Sequence, residues 1–119
     1  MSLAEKLQIE AGRSVSVLHA PPSLDIGLPE GSRKTSSVAG SDVVIVFVSN
    51  RAELAKRAEP LVKAARRDAL AWIAYPKAGQ LDTDLNRDSL WELLQEQGIR
   101  PVRQVAIDDV WSALRFRPA

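Results

Sequence analysis

Two apolar segments limit what this chain can fold into more than any other feature. Residues 43–48 read VVIVFV and residues 69–75 read ALAWIAY, with no charged side chain in either. A strand with one wet face alternates apolar with polar residues. An unbroken run therefore means cover on both faces, as in the middle of a parallel sheet. Between the runs, Asn50 is suited to an N-cap with Glu53 three positions on, and Leu54, Ala58, Leu61, Val62 and Ala65 recur at helical spacing. Pro60 falls inside that pattern and should kink the helix or split it in two. Two buried strands joined through a helix make a βαβ unit, with a right-handed crossover and parallel strands.

The flanking sequence extends this unit. Residues 14–20 (SVSVLHA) alternate small polar with apolar side chains and stop at Pro21-Pro22, which predicts a first strand. Before it, Ser2 and Glu5 have capping-box spacing, for a short helix that lids the core and ends near Gly12. Residues 21–42 are rich in proline, glycine and serine. Leu24, Ile26 and Leu28 there suggest one helical turn, and residues 33–37 a short edge strand. Asn86 can cap a helix over residues 87–97 with Leu90, Leu93 and Leu94 as its stripe and Gly98 as its stop. Residues 101–107 and 112–117 read as a hairpin around 108–111, so the last strand runs antiparallel to its neighbour. The expected architecture is a single α/β domain over residues 1–119, three-layered and Rossmann-like, its mostly parallel sheet closed by a C-terminal antiparallel hairpin.

Composition removes several classes of function. The chain has no cysteine, which excludes disulfides, thiolate nucleophiles and sulfur-ligated zinc and fits a reducing compartment. No apolar run approaches the roughly 20 residues of a spanning helix. Residues 1–10 mix charge with apolar side chains and do not read as a signal peptide, so a cytoplasmic location without membrane contact is expected. Sixteen basic and 15 acidic residues are interspersed for a net charge of +1, which gives nucleic acid little to hold.

From residue 43 onward, the order of strand, helix, strand, helix and closing hairpin resembles the second half of the class I S-adenosylmethionine-dependent methyltransferase fold. The segments LHAPP, SDVVIVFVSNRAEL, LAWIAYPK, TDLNRDSLWELL and IDDVWSALRFRP also resemble a bacterial family of short proteins known only as a domain of unknown function. The methyltransferase resemblance implies a cofactor loop with glycines after the first strand and an acidic residue closing the second. Here the first strand runs into His19-Ala20-Pro21-Pro22, with no glycine before Gly27 and no clear second strand ending in Asp or Glu. No cofactor and no metal are expected.

In open α/β sheets, ligands sit at the carboxyl ends of the strands. That edge would gather His19, Ser49, Asn50, Arg51, Tyr75, Lys77, Asp108, Asp109 and Trp111, of which Asn50, Arg51, Lys77, Asp108, Asp109 and Trp111 form the candidate ligand-binding set. Asp108-Asp109 fits a hairpin turn, where aspartate bonds its own backbone, and also a base or metal pair, where neighbouring carboxylates raise one another's pKa. If Lys77 lies opposite them, an ion pair is expected rather than an amine nucleophile. His19, the only histidine, has no serine in a GxSxG context to serve. Trp72 and Trp91 fall in apolar periodicity and are expected in or near the core. Trp111 stands in a polar turn, either capping the sheet edge or walling a pocket for a planar ligand. Arg103, Arg115 and Arg117 alternate along the hairpin, as a guard against edge-to-edge pairing or as a contact for an anionic partner.

These readings converge on a non-catalytic interaction or small-ligand-binding module that uses the carboxyl edge toward a small molecule or protein. The alternative is a remodelled methyltransferase-like or nucleotide-using enzyme with its site at the same edge. A homodimer through the terminal hairpin is a further option.

Overall fold

The computed structural model describes residues 2–22, 24–35 and 37–119. Its centre is a six-stranded sheet in the order β2-β1-β3-β4-β6-β5, with strands β1 (Ser14–Leu18), β2 (Arg33–Lys34), β3 (Val43–Phe47), β4 (Leu70–Pro76), β5 (Ile99–Ala106) and β6 (Trp111–Pro118). The two apolar runs lie where the sequence puts them. Strands β3 and β4 are parallel neighbours, Val43 opposite Leu70 through Phe47 opposite Ala74, and every residue of β3 is buried. Strands β1 and β2 join in the same direction, and β6 returns antiparallel between β4 and β5.

Pleating divides the core in two. Val44, Val46, Ala71, Ile73 and Tyr75 point to the side covered by α2 (Arg51–Arg66) and α3 (Arg87–Gln95). Val43, Ile45, Phe47, Trp72 and Ala74 point to the other. That second layer is not built of long helices: α1 (Leu3–Lys6) spans four residues, and Leu7, Ile9, Leu24, Ile26 and Leu28 complete the cover. The Trp72 indole is fully buried and donates from Nε1 to the Leu7 carbonyl at 3.0 Å, which clips the N-terminal segment onto the sheet.

Several local expectations need correction. Helix α1 stops at Lys6, well short of Gly12, although its Ser2–Glu5 capping box is intact. Residues 24–28 form no helical turn; their backbone is held by turns such as the Gly27 amide on Asp25. Pro60 does not divide α2, which is continuous from Arg51 to Arg66. Trp91 is outside the core, 51% exposed, because Leu90 and Leu94 take the face of α3 turned to the sheet and the next position swings about 100° away. Arg115 and Arg117 are not on an edge strand, since β6 is enclosed; the true edge is β5. Arg117 instead forms a fork with Asp68, both N···O distances 2.9 Å, and Arg115 donates to Gln8 Oε1 at 3.0 Å. The Arg117 guanidinium holds the Asp68 carboxyl below its ordinary pKa.

Among the described residues, no helix is long and apolar enough to cross a membrane.

Candidate functional site

Strands β1, β3 and β4 end, and β6 begins, at one edge of the sheet, and β5 ends there too. All six candidate residues reach this edge in two groups. The first is the start of α2. Asn50 is its N-cap, with Oδ1 accepting from the Glu53 amide at 2.8 Å, while Glu53 Oε1 accepts from the Ser49 amide at 2.7 Å. The Arg51 amide donates to Asp84 Oδ1 at 2.8 Å, and Arg51 Nε to the Asp84 carbonyl at 3.3 Å.

The second group surrounds the terminal hairpin. Asp108 Oδ1 accepts from the amides of Val110 at 2.8 Å and Trp111 at 2.7 Å, an Asx turn that closes the loop. Trp111 is buried to 7% exposure and meets Phe47 edge to face, ring centroids 5.2 Å apart. It packs the sheet edge against Phe47. The Lys77 amide donates to the Val110 carbonyl at 2.7 Å, so β4 continues into the turn. Among the described residues no ion pair joins Lys77 to Asp108 or Asp109, and Asp109 is exposed. Phe47, the last residue of β3 just ahead of the first group, meets Trp111 of the second.

Asp84 is the functional neighbour that sequence reasoning missed. It lies in a 77–86 connection that offers no periodicity, and the local signal is the T-D-L-N string. Thr83 Oγ1 accepts from the Leu85 amide, and Asn86 with Ser89 forms a capping box for α3, which leaves Asp84 aimed at α2. Tyr75, gathered at this edge by the sequence but left out of the six-residue set, is a second such neighbour. Its hydroxyl accepts from Gln104 Nε2 at 2.9 Å, and burial raises its pKa although Arg87 pulls the other way. A third is a buried hydroxyl group on β1: Ser16 Oγ donates to the Thr35 carbonyl and shares a hydrogen bond with Ser41 Oγ.

The fold prompts a test of fit for S-adenosylmethionine. A nucleotide-type cofactor sits at the switch point of the sheet, here between β1 and β3, on glycines after the first strand and an acidic residue after the second. His19 takes the left-handed conformation there (φ 63°) with a side chain attached, and Pro21 and Pro22 bring no amide donors. Strand β2 ends at Lys34, a cation in place of the ribose-binding carboxylate. Across the crevice, the amides of Arg51 and Glu53 are already bonded to Asp84 and Asn50. The cavity beneath the ends of β1 and β2, walled by Val17, Ala20, Leu24, Ile26 and Leu28, measures about 230 Å³. Small-molecule sites span roughly 300–1,000 Å³. These residues do not fit the cofactor. No cluster of three or more His, Asp or Glu suited to a metal ion occurs among the described residues.

Comparison with solved structures bears on the architecture. A SAM-dependent methyltransferase from Aquifex aeolicus aligns over 96% of this chain and 86% of its own, with a TM-score of 0.51 at 13% identity. The fold is methyltransferase-like. The likeness takes in β1 and β2 as well as the stretch from residue 43 onward. A LepI variant in complex with SAH and a substrate analogue aligns over 98% of this chain and 39% of its own, with a TM-score of 0.47 and 16% identity. No protein-family model matches the sequence, and no curated protein matches it.

Proposed function

We propose that this chain is a methyltransferase-like fold turned to binding rather than catalysis, an interaction or small-ligand module that presents the carboxyl edge of its sheet. One observation carries the reading: the groups that would grip a cofactor at the switch point are bonded to one another. Asn50 and Asp84 hold the first amides of α2, and farther along the edge, beyond β4, Asp108 Oδ1 is taken up by the hairpin. What this edge still offers includes Lys77, Asp109, the Arg51 guanidinium and the exposed imidazole of His19. The segments quoted above support placing the chain in the family of short bacterial proteins. Its lack of cysteine supports a reducing, cytoplasmic setting.

A thermal-shift series with S-adenosylmethionine, S-adenosylhomocysteine, ATP and divalent cations tests the reading. A ligand at 100 times its Kd would stabilise by about 2.7 kcal/mol, a rise of several degrees in Tm. None is expected from any of these compounds. A rise with S-adenosylmethionine or S-adenosylhomocysteine would favour the remodelled enzyme, whose support is the small cavity where Asp25 and Lys34 add charge to apolar walls.

A further inference from the structure

The helical face of the molecule, which meets the candidate edge only at Arg51, carries a feature the proposed function does not use. Helices α2 and α3 leave a groove of about 540 Å³ between them. Its apolar lining includes Ala55, Ala58 and Val62 from α2 and Leu93 from α3, and along the α2 side stand Arg51, Lys63 and Arg66 with one carboxylate, Glu59, which pairs with Lys63. The alanines let another backbone approach closely. Leu93, 40% exposed, stands at the opposite wall.

Charge is divided between the two helices. Helix α2 has five basic side chains against two acidic ones, whereas α3 and its C-cap carry Asp88, Glu92 and Glu96 against Arg87 alone. Among the described residues no salt bridge joins the helices; the pairs on α2 are internal, Glu53 with Arg57 and Glu59 with Lys63. The basic and acidic surfaces thus lie side by side.

We infer that this face is a self-association surface, on which α3 of a second copy lies over α2 and the reverse. Both helices follow strands of the parallel set and run the same way. The segments flanking the shorter α3 are tied to the two ends of α2, Asp84 by the Arg51 amide at 2.8 Å and the Gln97 carbonyl by Arg66 Nε at 2.8 Å. A two-fold axis across the helices would set α2 on α2, like charge on like. An axis along the helices sets α2 of one copy over α3 of the other at the same height. Glu96 then faces the partner's Lys63 and Arg66, Glu92 lies near the partner's Lys63, and the two Leu93 side chains close over the grooves. The contact goes beyond the proposed function and, apart from Arg51 at the end of the groove, leaves the candidate edge residues uncovered. It also differs from pairing through the terminal hairpin, where Pro101 and a bulge between Pro101 and Arg103 interrupt the β5 ladder.

Sedimentation equilibrium of the whole chain tests the inference. A two-helix contact of this size is weak, so the expected state is a monomer–dimer equilibrium at about 10–200 µM. It should loosen between about 0.05 M and 1 M salt as the screening length shortens. Glu92→Lys with Glu96→Lys should weaken dimerisation by roughly tenfold or more, as should Lys63→Glu with Arg66→Glu. Mixed in equal amounts, the two double variants should dimerise with each other, because each supplies the sign the other lost. Circular dichroism confirms that both are folded; should either unfold, Leu93→Ser, expected to weaken the dimer about tenfold, takes its place. A wild-type monomer throughout this range overturns the inference and leaves the groove to an acidic amphipathic helix of another protein. A dimer indifferent to salt, to Leu93→Ser, or to the charge reversals overturns it as well.

Discussion

Replacing Asp108 separates a turn-forming carboxylate from a chemical one. In the structure Oδ1 accepts two backbone amides, Val110 at 2.8 Å in the open and Trp111 at 2.7 Å partly buried. A hydrogen bond to a charged group contributes about 1.5–3 kcal/mol when shielded from water. Solvent exposure of the first bond and flexibility of the turn lower that, so Asp108→Ala should cost about 1–2 kcal/mol in total. For a domain of this size the cost corresponds to roughly 3–8 °C in Tm. Asn retains the acceptor without the charge, so Asp108→Asn should lose less than about 0.5 kcal/mol. Urea unfolding followed by tryptophan fluorescence is the assay. The Trp111 indole packs on Phe47 just past the turn and reports whether the hairpin closes. If Asp108→Asn cost as much as Asp108→Ala, the charge rather than the acceptor would be what matters. If neither cost anything, the turn would not depend on Asp108, and its carboxylate would be free for chemistry after all.

Trp72→Phe removes the Nε1 donor to the Leu7 carbonyl and leaves a buried acceptor beside a void, at an expected cost of about 2–4 kcal/mol. Hydrogen exchange should rise first at residues 3–9, and uniform loosening of the domain would refute the clip. In acid, Asp68 and Asp42, held below their ordinary pKa by Arg117 and by the Ser14 amide respectively, favour the folded state above the unfolded carboxylate pKa near 4. That stability is lost as pH falls below about 4 and those carboxylates take up protons. Arg117→Gln should flatten the acid limb of a Tm-against-pH curve, and an unchanged slope would remove Asp68 from the account. At the other extreme, burial raises the Tyr75 pKa, so its contribution persists below about pH 10 and fades above it as the folded-state phenol ionises.

The parts of the fold legible in the sequence are those where one residue pattern has one physical solution. An apolar run with no polar alternation, such as residues 43–48, has nowhere to go but the middle of the sheet, and Asn50 with Glu53 announces the helix that follows. The 21–42 stretch has no such pattern because distant partners determine its path. Ser16 binds the Thr35 carbonyl, and Arg67 binds the carbonyls of Val38 and Ser41 from the far end of α2. Trp91 misled for a related reason: an apolar stripe on a short helix is broad, and only the position of the sheet decides which side of it is dry.

At the candidate site, strand order placed the polar residues on one edge, but their roles depend on atoms that spacing does not reveal. Asn50, Asp84 and Asp108 share a single task, accepting backbone amides that a sheet edge or helix start would otherwise leave bare. An open cofactor site needs those same amides unpaired, since they bind the anion. An edge whose amides are satisfied by its own side chains gives up ground-state anion binding for rigidity. Restoring a site would require deleting the caps. Asn50→Gly with Asp84→Gly should therefore lower stability and, if the edge descends from a binding crevice, raise affinity for inorganic phosphate or sulfate. Lower stability with no gain in anion affinity would mean that the caps close nothing.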